Sequence, residues 1–130
     1  MLDLKALLTK LLGCAYTSGT NNGWRYRKYA DGTYEAWRYY QATGLNLSVS
    51  SAGTYYGSGA NGYRDITAPS FTKTYTLAIG QSMSSQTSGT HIYAIGATNG
   101  TSYIRVHYRN FVSNTSASCG GDFYIRGTWE

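Results

Sequence analysis

Residues 24–37 read Trp24-Arg25-Tyr26-Arg27-Lys28-Tyr29-Ala30-Asp31-Gly32-Thr33-Tyr34-Glu35-Ala36-Trp37, two strand-like runs around a turn. Asp-Gly between two aromatic-rich runs is a two-residue hairpin signal, with Trp24–Ala30 as one arm and Thr33–Gln41 as the other. Setting Ala30 opposite Thr33 predicts that Lys28 faces Glu35, Tyr26 faces Trp37 and Trp24 faces Tyr39. Opposite charges and aromatic pairs then share a face, each contributing roughly 0.2–1 kcal/mol. The same register sets Arg25 against Arg38, a mild cost. It makes Trp37 a packed ring, whose truncation would cost about 3–5 kcal/mol.

The chain downstream carries the same signals. Leu45, Leu47 and Val49 alternate with Asn46, Ser48 and Ser50, as in a half-buried strand. Residues 51–62, rich in Gly, Ser and Tyr, read as a long loop, and short strands are expected over 63–66, 70–78 and 81–86. Asn99-Gly100 predicts a second hairpin. In its register Ile95, Tyr93 and His91 meet Ile104, Val106 and Tyr108 on an apolar face, and His91 and His107 fall on opposite faces. After a polar stretch at 113–120, Phe123, Ile125 and Trp129 alternate with Asp122, Tyr124 and Arg126 in a last strand. No internal repeat interrupts this series. Short strands at regular spacing with hairpin turns predict an all-β fold, an antiparallel β-sandwich or jelly roll, over residues 24–130.

Upstream the pattern changes. Leu4, Leu7, Leu8 and Leu11 recur at helical spacing, Asp3 favours the first turn and Gly13 stops the helix. Residues 1–13 are therefore expected as a short amphipathic helix, and 14–23 as a polar linker. A helix this short is marginal alone. It packs on its own sheet or, by the reading favoured here, on its copies, with the leucines forming an oligomerisation seam. Leu11-Leu12-Gly13-Cys14 resembles a lipoprotein cleavage box, but Asp3, Lys5, Thr9 and Lys10 break the n-region and apolar pattern that export requires. No apolar run is long enough to span a membrane.

Composition supports a binding surface more than a catalyst. The 130 residues include 14 Tyr and 16 Gly, one Pro and 13% charged residues. Tyr with small hydroxyl residues is the chemistry of adaptable recognition surfaces. The net charge of +5 is spread through strand-like segments instead of being gathered in a run, which argues against nucleic acid as the partner. Cys14 and Cys119 have no metal-ligand spacing, and a disulfide between them is left open. Of six acids, only Glu35, Asp65 and Asp122 are placed to form a glycosidase pair, and Glu35 has Lys28 as its expected partner. No nucleophile elbow, phosphate loop or zinc-helix motif occurs. No catalytic residue, metal or cofactor is expected.

The hairpin Trp24-x-Tyr26-x-Lys28-Tyr29-x-Asp31-Gly32-Thr33-x-Glu35-x-Trp37, with the ending Ile125-Arg126-Gly127-Thr128-Trp129, resembles small tail-region proteins of prophages from Gram-positive bacteria. Those chains also open with a short Leu/Lys helix and close on G-x-W. Tyr29 stands where their hairpin usually has Trp. The resemblance implies a virion-associated β-sandwich made in the bacterial cytoplasm, a homotrimer at the distal end of a tail or fibre beside other tail proteins. It carries over no catalytic residues.

The expected function is receptor binding to a host cell-surface carbohydrate. The alternatives are a purely structural tail cap, a cell-wall glycan hydrolase and a lipoprotein adhesin. Two ligand-binding groups are expected: the strand stripe Tyr103, Arg105 and His107, and the loop tyrosines Tyr55, Tyr56 and Tyr63. Aromatic rings stack on sugar faces while polar groups hold the rim. The same residues also suit a subunit interface.

Overall fold

The computed structural model describes residues 3–4, 15–83, 86–97 and 102–130. Its first hairpin forms where expected but with a different turn. The Tyr29 carbonyl accepts from the Gly32 amide at 3.1 Å, and only Gly32, at φ +90°, enters the left-handed region. This is a three-residue loop in which glycine follows a tight turn. The Asp31 carboxylate caps it, accepting from the Thr33 amide at 3.0 Å and the Thr33 hydroxyl at 2.6 Å. Those bonds hold its carboxyl below the usual range.

The longer loop moves the register by one residue. Between strands β2 (Trp24–Tyr29) and β3 (Thr33–Leu47), Arg25 pairs with Trp37, Tyr26 with Ala36, Arg27 with Glu35 and Lys28 with Tyr34. A one-residue slip moves side chains across the sheet. Trp24 remains fully buried, whereas Trp37, expected to face Tyr26 in the core, stands on the outer face. Lys28 does not meet Glu35; its ammonium lies 4.5 Å from the Trp129 ring centroid and 4.7 Å from that of Phe71.

Two segments read as irregular are strands. Residues 14–23, expected as linker, contain β1 (Tyr16–Asn21). Asn22 and Gly23, both at positive φ, turn it into β2, the left-handed pair that suits a two-residue hairpin. Within 51–62, Ala52 and Gly53 make the same turn between β4 (Val49–Ser51) and β5 (Thr54–Tyr56). A 3-10 turn at Gly59–Gly62 leads into β6 (Tyr63–Thr67). Then follow β7 (Thr74–Ser82), β8 (Thr90–Ala97), β9 (Tyr103–Asn110) and β10 (Asn114–Thr128). The expected N-terminal helix, with Leu7, Leu8 and Leu11, lies outside the described residues, as do Cys14 and the turn at Asn99-Gly100. Leu4 is described, and it is exposed.

The strands form two antiparallel sheets, β1-β2-β3-β10-β7 and β4-β5-β9-β6, with β8 on the free side of β9. Between them lies one core. The first sheet supplies Trp24, Tyr34, Leu45, Leu47, Phe123 and Ile125; the second supplies Ile66, Ile104, Val106 and Tyr108. The alternation is thus borne out at Leu45 and Leu47 and along β10, whereas Val49, expected to continue it, is exposed in β4; the fold is an all-β sandwich.

Two bulges alter the expected faces. In β8, pairing slips at Tyr93, so that Ile92 pairs with Tyr108 and Ile95 with Val106. Both isoleucines pack on the core, which a regular strand forbids for residues three apart. His91 consequently pairs with Arg109 and shares the outer face of His107, where opposite faces were expected. Each imidazole has its own neighbour: His91 stacks on Phe111 at 4.8 Å, and His107 lies 5.7 Å from Tyr63. In β3, the slip between Ala42 and Leu45 passes through Gly44 at φ +63°.

Candidate functional site

The outer face of the first sheet carries a groove of about 710 Å³, within the usual range for ligand sites. Its residues follow from the ladder. Arg25 (β2), Trp37 (β3), Tyr124 (β10) and Ile79 (β7) stand in one row across four strands, because each pairs with the next. Tyr39, Asp122 and Gln81 form the adjoining row. Trp37, Tyr39 and Ile79 are exposed by 36%, 48% and 52%, so aromatic and aliphatic surface lines an open channel. Asp122, Gln81 and Arg25 supply acceptors and donors along it.

The floor is braced from one side. The Trp37 and Tyr124 rings meet at 5.7 Å, tilted by 51°. The Arg27 guanidinium lies between the rings of Trp37 and Tyr16, 5.4 and 5.0 Å from their centroids. Glu35, one row along, accepts from the Tyr29 hydroxyl at 2.5 Å and the Tyr124 hydroxyl at 2.8 Å. Burial pushes the Glu35 carboxyl up, but those two bonds and the charges of Arg27 and Arg126 outweigh it and hold it below its usual range. Tyr124 moves the other way, pushed up to about 12 by burial and by its bond to the carboxylate. Glu35 thus locks the ring that flanks Trp37.

The second sheet's outer face gathers most of the residues expected from sequence. Tyr103, Arg105 and His107 alternate along β9, and Tyr63 pairs with His107 from β6. Tyr56 joins them through Arg109, whose guanidinium lies 5.8 Å from its ring centroid. Tyr55 does not join. It pairs with the buried Asn110, on the inward-facing register, and is half-buried. Arg105 makes a two-pronged ion pair with Asp65, at 2.8 and 3.1 Å. It also covers the Tyr63 ring at 3.9 Å. That fork and that ring face are engaged within the protein. Apart from Tyr55, the two expected groups therefore form one surface, with Arg109 and Tyr93 added.

The groove escaped the sequence reading because a two-residue turn at Asp31-Gly32 turns Trp37 inward. The signal that locates it is the three-residue alternative, Ala30-Asp31-Gly32. The three acids considered for hydrolysis are dispersed: Asp65 lies on the second sheet, opposite Arg105, and Glu35 and Asp122 on the first. Glu35 pairs with Arg126 and Asp122 with Tyr39, four positions or about 13 Å apart along the strand. Glycosidase pairs lie roughly 5–10 Å apart. Among the described residues no three His, Cys, Asp or Glu side chains converge as a metal site, and no helix is long and apolar enough to cross a membrane. Cys119 is a buried free thiol, its pKa raised by burial.

No family model, curated protein or solved structure matches this chain.

Proposed function

We propose that this chain is a non-enzymatic, carbohydrate-binding β-sandwich, a receptor-binding module of a phage tail that grips a host surface glycan in the groove of its first sheet. The observation that carries the reading is the exposed Trp37 ring, flanked by Tyr39 and Tyr124 in a groove with Asp122, Gln81 and Arg25 along it. A pyranose lays its C–H face on such a ring, and its hydroxyls bond to carboxylate, amide and guanidinium at the rim. Residues pre-set by neighbours lose little freedom on binding, and Glu35, Arg27 and Tyr124 pre-set this ring. The tail attribution rests on the resemblance of the hairpin and the closing strand. Trp129 ties those two motifs together, donating its indole N–H to the Tyr29 carbonyl at 3.0 Å.

The test is binding to a glycan array and to cell-wall polysaccharide by the full chain and by Trp37→Ala. The reading expects selective glycan capture, lost at least tenfold in Trp37→Ala, with no release of reducing sugar. Capture of no glycan would favour a purely structural tail part, and sugar release would make the chain a hydrolase.

A further inference from the structure

The second sheet carries a separate, smaller cup of about 300 Å³, on the opposite side of the sandwich from the groove. Tyr56, Tyr63 and Tyr93 line it, and His107 and Arg109 face into it. Gly57, Gly59 and Gly62 bring main chain to the rest of its wall. Gly57 and Gly62 pass so closely that a Cβ on Gly57 would lie 2.3 Å from the Gly62 nitrogen, so neither position accepts a side chain. Gly59, at φ +57°, has open space where its Cβ would stand.

Two arginines on this face are used differently. Arg105 is neutralised by Asp65. Arg109, the next outward residue but one, has no carboxylate partner among the described residues. It is held instead by the Tyr93 ring, 3.9 Å from its guanidinium, and by a bond from Nη1 to the Thr54 hydroxyl at 3.1 Å. Aromatic stacking and one neutral hydrogen bond orient the cation without cancelling its charge. A fork of donors so fixed suits a planar carboxylate or a phosphate.

We propose that this cup is a second ligand site, taking the anionic group of an acidic saccharide, with Arg109 as the charge partner, His107 as a second polar contact and the tyrosines as walls. It goes beyond the glycan reading of the groove and does not depend on it.

The test is an amide-resolved NMR titration of the full chain with inorganic phosphate, glucuronate and glucose, at ionic strength held constant with sodium chloride. Phosphate or glucuronate is expected to shift the amides of residues 57–62 and 93, while glucose leaves them in place; the stronger anion identifies phosphate or carboxylate as the group recognised. Arg109→Gln is expected to weaken this binding at least tenfold, and Trp37→Ala to leave it unchanged, which separates this site from the groove. Tyr93→Ala, an exposed position, gives a second variant that spares the core and is also expected to weaken the anion. Shifts spread over every basic residue, or an undiminished response in both cup variants, would reduce Arg109 to an ordinary solvated cation and overturn the proposal.

Discussion

Trp24 and Trp37 open and close the hairpin motif, and the sandwich treats them oppositely. Trp24 is fully buried and donates its indole N–H to the Thr67 carbonyl at 2.7 Å. Its replacement by Ala should cost about 3–5 kcal/mol. Trp37→Ala, which removes a partly exposed ring with its contacts to Tyr124 and Arg27, should cost less, about 1–2 kcal/mol. Thermal or denaturant unfolding of the two variants checks this ordering, and equal losses would return Trp37 to the core. Tyr108 gives a residue-level test of the interior. Its hydroxyl is buried without a hydrogen-bond partner among the described residues, and burial raises its pKa. An unpaired buried hydroxyl costs about 1–3 kcal/mol. Tyr108→Phe should therefore unfold at the same or a higher denaturant concentration; a clear loss of stability would reveal a partner for that hydroxyl.

At the scale of elements, the inward faces of the long strands were legible, and the turns and the short strands β1 and β5 less so. The alternation at Leu45 and Leu47, and at Phe123 and Ile125, marks inward faces because side-chain direction has period two. What alternation leaves open is where a ladder gains a residue. Ile92 and Ile95, like Ala42 and Leu45, are three apart, a spacing that places both inward only through a bulge. At the first turn, Asp31-Gly32 fits a two-residue and a three-residue loop equally, and their difference moves Trp37 across the sheet. Ala52, at φ +50° in the turn from β4 to β5, is a non-glycine residue where Asn-Gly is preferred. Ala52→Asn should raise stability by about 0.5–1 kcal/mol, read as a higher melting temperature. Glu35 joins Tyr29 of β2 to Tyr124 of β10. Its folded-state pKa is depressed, so its contribution is present above the unfolded value of about 4.3 and is lost as pH falls through the folded one. The melting-temperature gap between the wild type and Glu35→Gln should therefore narrow below about pH 4; a gap independent of pH would show that the carboxylate's charge contributes nothing.

For the whole molecule, composition and turn signals sufficed for the all-β class, because Tyr- and Thr-rich runs punctuated by Gly have few other ways to bury a core. The groove was less legible, since it depends on a register that one loop residue decides. The trimer implied by the resemblance, with leucines at 4, 7, 8 and 11 as its expected seam, is tested by light scattering on the full chain and on one lacking residues 1–13. A trimer that dissociates on truncation is expected, and a monomer in both would remove the seam. Glycan binding through Trp37 on the first sheet's outer face, as proposed, has a built-in reporter. The three indole N–H groups differ: those of Trp24 and Trp129 donate to backbone carbonyls, and Trp37 lines the groove. Titrating the glycan captured on the array into the ¹⁵N-labelled chain should move the Trp37 indole signal and leave those of Trp24 and Trp129 in place. A saturating titration in which the Trp37 signal stays still while resonances elsewhere shift would place the glycan outside the groove.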